Sequence, residues 1–138
     1  MQFVHCVFST KGRSASIADP QRLWTYLRAI ARNSDINVAA IGGTNNHVHV
    51  LMKMPPTACT ADVIRTLKAN SSRWMNEIGV GFAWQDGYAA ISVSPSQIPT
   101  VARYIQGQAE HHRLRPFESE YEALLRKSGV GFDPAQLF

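Results

Sequence analysis

The sequence predicts an α+β domain: a ferredoxin-like, RNA-recognition-motif-like (RRM-like) antiparallel sheet with helices on one face and a C-terminal helix that bears a tyrosine. Three observations predict it. Apolar residues recur with strand and helix periods in the order β-α-β-β-α-β-α. The connection Gly42-Gly43-Thr44-Asn45-Asn46 separates two apolar runs, as a hairpin between antiparallel neighbours would. A chain of 138 residues, 45% hydrophobic and 17% charged, suffices for a single domain over residues 1–138, and no internal repeat, low-complexity stretch or linker marks a second.

Phe3 to Ser9 reads as the first strand, followed by the basic turn Lys11-Gly12-Arg13-Ser14. Asp19-Pro20 opens a helix to about Asn33, because proline suits the first helical turn, and Leu23, Tyr26, Leu27 and Ile30 mark its buried face. Asn37 to Ile41 and Val48 to Met54 are the second and third strands, paired antiparallel. Pro55-Pro56-Thr57 stops the third. From about Cys59 to Ile78 the apolar residues Val63, Ile64, Leu67, Trp74, Met75 and Ile78 recur with a helical period, and Arg65, Lys68, Ser72 and Arg73 occupy the other face. Gly79 and Gly81 close that helix, and Asp86-Gly87 makes a turn. Tyr88 to Val93 is the fourth strand, with Ala89, Ile91 and Val93 on one side. Pro99 starts a helix through Val101 and Ile105 towards Leu114, stopped before Pro116, and a last helix covers about Glu118 to Lys127.

Composition narrows the function classes. Lys and Arg outnumber Asp and Glu by 14 to 10, so a net charge of +4 and a pI near 9.4 favour a polyanionic partner. Cys6 and Cys59 form no C-x-x-C pair, which argues against a thiolate metal site or a disulfide framework and fits a reducing cytoplasm. No apolar run approaches the ~20 residues that cross a bilayer, and the start lacks a basic segment leading into a long apolar one. The expected location is therefore cytoplasmic.

The residues with the most chemistry are His47-Val48-His49. On a strand, alternate side chains share a face, so both imidazoles point the same way from backbone positions about 6–7 Å apart, a spacing that suits two ligands of one divalent metal. A polar strand face also carries such pairs without a metal. In the helix after the fourth strand, Tyr104 and Gln108 lie one turn apart on one face, with His111 following and His112 beside it.

Together these signals resemble the HUH single-tyrosine transposases, the insertion-sequence-200/605-like family, in which a His-hydrophobic-His strand and a Tyr-x-x-x-Gln helix build one active site. The resemblance spans nearly the whole chain. It includes Val7-Phe8-Ser9-Thr10-Lys11, Gly42-Gly43 shortly before the histidines, and Lys68 with Ser71-Ser72-Arg73-Trp74. Further on come Phe82-Ala83-Trp84-Gln85-Asp86-Gly87-Tyr88, Ser92-Val93-Ser94, Tyr104-Ile105 with Gln108, His111-His112-Arg113, and Gly131-Phe132-Asp133. One departure stands out: related sequences often carry Asp before the first histidine, and this chain has Asn46. An amide can orient an imidazole by hydrogen bonding but lends no negative charge to raise its basicity, which implies a weaker site. Gly107, just before Gln108, is a poor helix former, costing up to ~1 kcal/mol relative to Ala, and allows local flexibility.

The resemblance implies cleavage of single-stranded DNA through a covalent 5′-phosphotyrosine on Tyr104, then rejoining by a 3′-hydroxyl. It also implies a divalent cation, Mg²⁺ or Mn²⁺, on His47, His49 and Gln108. Imidazole and amide ligands suit Mn²⁺ somewhat better. Lys11, Arg13, Arg65, Lys68, Arg73 and Arg113 are the candidate DNA-binding residues, on turns or polar helix faces. Family members recognise hairpins at element ends and act as homodimers in which the tyrosine helix can dock on the partner's histidines, giving composite active sites. Trp74, Trp84 and Tyr88 either stack on bases or pack. Three other readings remain: a domesticated relative processing repeated palindromic DNA, or a nickase of the same chemistry; a non-catalytic RRM-like nucleic-acid-binding module; and a hydrolytic metallonuclease, disfavoured because adjacent helical residues such as His111 and His112 diverge by about 100°.

Overall fold

The structure is a computed structural model that describes residues 2–108. The helix expected over Glu118 to Lys127, the Gly131-Phe132-Asp133 block, His111, His112 and Arg113 lie outside the described residues. Strand β1 (Gln2–Ser9) leads through a short 3-10 turn at Lys11–Arg13 into helix α1 (Pro20–Asn33). Strands β2 (Asn37–Gly43) and β3 (His47–Met54) form a hairpin, followed by helix α2 (Thr60–Glu77), strand β4 (Ala89–Val93) and helix α3 (Ile98–Gln106). The sheet order is β2-β3-β1-β4, antiparallel at every pairing. That is the ferredoxin-like arrangement expected from the element order, with the histidine strand central.

Alternation decides what each face does. Val4, Cys6 and Phe8 of β1 and Val48, Val50 and Met52 of β3 enter one core with Leu23, Trp24 and Leu27 of α1 and Val63, Ile64 and Leu67 of α2. The opposite face is covered by α3, where Ala40, Leu51 and Ile105 form a smaller apolar cluster with Phe3, Val93, Val101 and Tyr104 packed against it. In an antiparallel ladder with Val7 opposite His49 and Ser9 opposite His47, both site histidines must lie on this second, α3-covered face.

Helix α1 starts where the sequence says, because the Asp19 carboxylate accepts the Arg22 N–H at 3.3 Å and Pro20 occupies the first turn. Tyr26, expected on the buried face, is half-buried and stacks on Trp74 with ring centres 4.3 Å apart. Ile78 is 41% exposed, since α2 ends one residue earlier. Trp84 packs rather than reaching outward: it meets Phe8 edge-on at 4.8 Å and donates its indole N–H to Ser71 Oγ at 2.9 Å. Tyr88 remains exposed and precedes β4, which begins at Ala89.

One boundary differs from expectation for a physical reason. Gly42 and Gly43 belong to β2, paired with His49 and Val48, and the turn is confined to Thr44 to Asn46, closed by Thr44 N–H donating to His47 O at 3.0 Å. Here glycine is needed for close approach: a Cβ on Gly42 would collide with the Ile105 carbonyl of α3, and one on Gly43 with the His47 carbonyl. Helix α3 spans Ile98–Gln106 and is capped by Gly107, whose N–H bonds back to Arg103 O at 3.0 Å; Gln108 is again helical, and the expected continuation towards Leu114 lies outside the described residues.

The two cysteines differ in accessibility. Cys6 is wholly buried, which pushes its thiol up to about 12, whereas Cys59 is exposed before α2. A thiol-reactive disulfide reagent at neutral pH is expected to titrate one equivalent in the native protein and two in denaturant. Two fast equivalents without denaturant would contradict the β1 packing. No helix among the described residues is long and apolar enough to cross a membrane.

Candidate active site

His47 and His49 are 0% and 2% exposed, held between the central strands and α3, with ring centres 5.1 Å apart. Nδ1 of His47 lies 2.9 Å from Asn46 Oδ1 and 3.0 Å from Thr44 Oγ1, and Thr44 Oγ1 in turn donates to Asn46 Oδ1 at 3.1 Å. With Asn46 Oδ1 as acceptor, the His47 proton is assigned to Nδ1, and Nε2 carries the lone pair. Asn46 thus orients the ring as an acidic residue would, without the charge.

Helix α3 supplies the other half. The Tyr104 ring stands edge-on to His49 with centres 5.6 Å apart, and 6.2 Å from His5. Gln108 is 1% exposed; its Nε2 donates to Tyr104 O at 3.3 Å, which turns Oε1 to within 3.2 Å of His47 Nε2. Tyr104, Gln108, His47 and His49 therefore gather within one chain, the tyrosine helix packing on its own chain's histidines.

The juxtaposition of Gln108 Oε1 and His47 Nε2 also tests the implied cation. With the His47 proton on Nδ1, two acceptors face each other at 3.2 Å, an arrangement a cation would satisfy. Two ligands at right angles on an ion with bonds of about 2.1 Å are themselves roughly 3 Å apart, so this pair fits. Among the described residues no three His, Cys, Asp or Glu side chains form a metal-holding group, and a cation held here would draw on the amide oxygen beside the imidazoles.

One member of the cluster escaped sequence reasoning. His5 on β1 is 3% exposed, and its Nε2 lies 2.9 Å from His49 Nδ1. Burial pushes its pKa down to about 4, so the ring is neutral at pH 7. The available signal was its place in β1, two residues after Phe3 and two before Val7, on the face that does not carry Val4, Cys6 and Phe8.

The candidate DNA-binding residues divide. Lys11 and Arg13 adjoin the site, because Ser9 pairs with His47 and Thr10 N–H donates to Asn46 O at 2.9 Å. Arg65 and Arg73 lie on α2, in the layer across the sheet, where Arg65 pairs with Asp62 at 2.8 Å and Arg73 with Asn70 at 2.5 Å. Lys68 Nζ donates to the carbonyls of Gln85 at 2.9 Å and Gly87 at 2.6 Å. These two bonds strap the loop before β4, and burial lowers the Lys68 pKa, opposed by the charge of Asp86. Beside the site, a groove of about 680 Å³ runs between the start of α1 and the end of α3, bordered by Trp24, Gly43, Thr44, Asn45 and Gln106.

The sequence profile of the IS200-like transposases matches residues 2–108. The chain belongs to this family. Its members' fold is shared by solved structures. A protein from Deinococcus radiodurans R1 described as a transposase superposes with a TM-score of 0.63 at 24% identity, covering 78% of this chain and 92% of that one. A REP-associated tyrosine transposase bound to a REP hairpin superposes with a TM-score of 0.61 at 14% identity, covering 75% of this chain and 64% of that one. Among curated proteins none matches. Family membership makes the chain an IS200-like transposase by descent, and the buried histidine, tyrosine and glutamine cluster is its candidate centre.

Proposed function

We propose that this IS200-like transposase cleaves and rejoins single-stranded DNA through Tyr104, recognising hairpins at element ends. The observation that carries the reading is the convergence of Gln108 Oε1 on His47 Nε2 at 3.2 Å, with the Tyr104 ring beside His49. Tyr104 Oη attacks the scissile phosphorus and loses its proton; the P–O3′ bond breaks, and the departing 3′-oxygen takes a proton. The 5′-phosphate is left esterified to the phenol. Rejoining runs the same exchange backwards, so one phosphodiester is traded for another and no external energy source is required. A free phenol has a pKa of about 10, so only about one in a thousand is ionised at neutral pH, and the site must ease the attack.

His47, His49 and Gln108 are the residues that would hold a divalent cation, Mg²⁺ or Mn²⁺. Such an ion, when bound, polarises the phosphate and offsets the charge of the transition state. Asn46 and Thr44 keep the His47 ring in register, and burial under α3 keeps water from the histidines. Lys11 and Arg13 lie where a phosphate backbone could approach, and the groove beside Thr44 offers room for a nucleotide. The hairpin bound by the REP-associated enzyme supports a folded DNA end as the partner, and makes processing of palindromic repeats the second reading.

Incubation with labelled single-stranded DNA carrying candidate ends and Mn²⁺ is expected to give a covalent adduct on a denaturing gel. Chelation, or His47→Ala, is expected to lower its yield about 100-fold or more. An undiminished adduct in chelator would remove the cation from the reading. Comparing REP-type palindromes with element ends separates the two substrate readings.

A further inference from the structure

We propose that His5 is a positioning residue: it accepts the Nδ1 proton of His49 and so leaves His49 Nε2 as the lone-pair nitrogen turned to a divalent cation. This rests on the cation reading given above. The contact is built into the sheet. Val7 pairs with His49 and His5 with Leu51, which makes His5 the diagonal neighbour of His49 on the same face, and the two rings meet at 2.9 Å from Nε2 to Nδ1. Both rings are all but fully buried, so the bond is not exchanged for one to bulk water.

An imidazole pair sharing one hydrogen bond has two arrangements. If His5 donates, His49 accepts at Nδ1 and carries its own proton on Nε2, where it cannot ligate. If His49 donates, Nε2 is bare. Only the second suits a metal ligand. His47 shows the same division: Nδ1 is tied to Asn46 and Thr44, and Nε2 is directed at Gln108. The two histidines are therefore held by different means to the same end, one by an amide and a hydroxyl from its own turn, the other by a ring from the neighbouring strand.

The test uses the full chain and two variants. In His5→Leu the acceptor is lost while the apolar packing is kept; in His5→Gln the carboxamide oxygen can accept again. Nitrogen-15 two-bond correlation spectra of the metal-free protein are expected to show His49 protonated at Nδ1 and bare at Nε2. His5→Leu is expected to lose that preference and to bind Mn²⁺ 10- to 100-fold more weakly by electron paramagnetic resonance titration, while His5→Gln stays within a few-fold of the parent. A packing role alone would not give rescue by Gln or a tautomer change. His49 protonated at Nε2 in the parent, or a His5→Leu variant that keeps both the tautomer and the affinity, would overturn the proposal. A parent that takes up no Mn²⁺ would instead fell the cation reading, and the tautomer spectra would still decide the His5 hydrogen bond.

Discussion

Tyr104→Phe is expected to abolish covalent attachment to DNA while leaving the fold and strand binding intact. The variant loses one oxygen. The ring that packs beside Ile105 and stands edge-on to His49 is retained, so the stability change should fall within about 1 kcal/mol. Without the oxygen the ring cannot form an ester with the phosphate, and adduct yield should fall at least about a thousandfold. The measurement is a denaturing gel beside a gel-shift titration of the same single-stranded DNA. Adduct at parental yield would mean another nucleophile, and the reading of α3 as the nucleophile's carrier would be wrong.

Gly42→Ala is expected to be damaging too, although Gly42 brings no side chain to the site. A methyl group there would overlap the Ile105 carbonyl, and both sides of the clash are backbone, so neither can be relieved by a rotamer. Helix α3 would have to withdraw by about 1 Å, carrying Tyr104 and Gln108 with it, and displacement of that size can cost about 100-fold in rate. The overpacking itself should cost about 1–3 kcal/mol. The expected result is a folded protein of lower melting temperature that binds DNA and forms adduct about a hundred times more slowly. Parental rate and melting temperature together would show that the helix is not seated by that glycine.

Much of this architecture could be read from the chain, and the reasons differ by residue. The start of α1 was legible because Asp19 and Pro20 act on their own neighbours, within one turn. The two halves of the site were legible because each is local: alternation puts His47 and His49 on one side of a strand, and a four-residue spacing puts Gln108 beside the backbone of Tyr104. Gly42-Gly43 misled the reading of β2, since glycine before a hairpin signals a turn as readily as it signals a crowded ladder. Which turn residues pair, and which strand lies beside β3, are questions of register, and register was not in the local pattern. His5 was missed for that reason: nothing within several residues of it says that β1 neighbours His49. The hydrogen bonds of Lys68, a candidate DNA-binding residue on a polar helix face, were not legible because the carbonyls that accept them belong to a loop 17 to 19 residues away.

The substitution of Asn46 for an acid reaches further than the orientation of one ring. Among the described residues, the side chains that bond to His47 and His49 include Thr44, Asn46 and Gln108, which carry no charge, and His5, which burial keeps neutral. Under the cation reading, a dication held by two imidazoles and an amide would keep its full charge, and an incoming phosphodiester would supply counter-charge. Ion and nucleic acid would then be heterotropic partners, each raising the affinity for the other by the same factor, so that both together would be held more tightly than either alone.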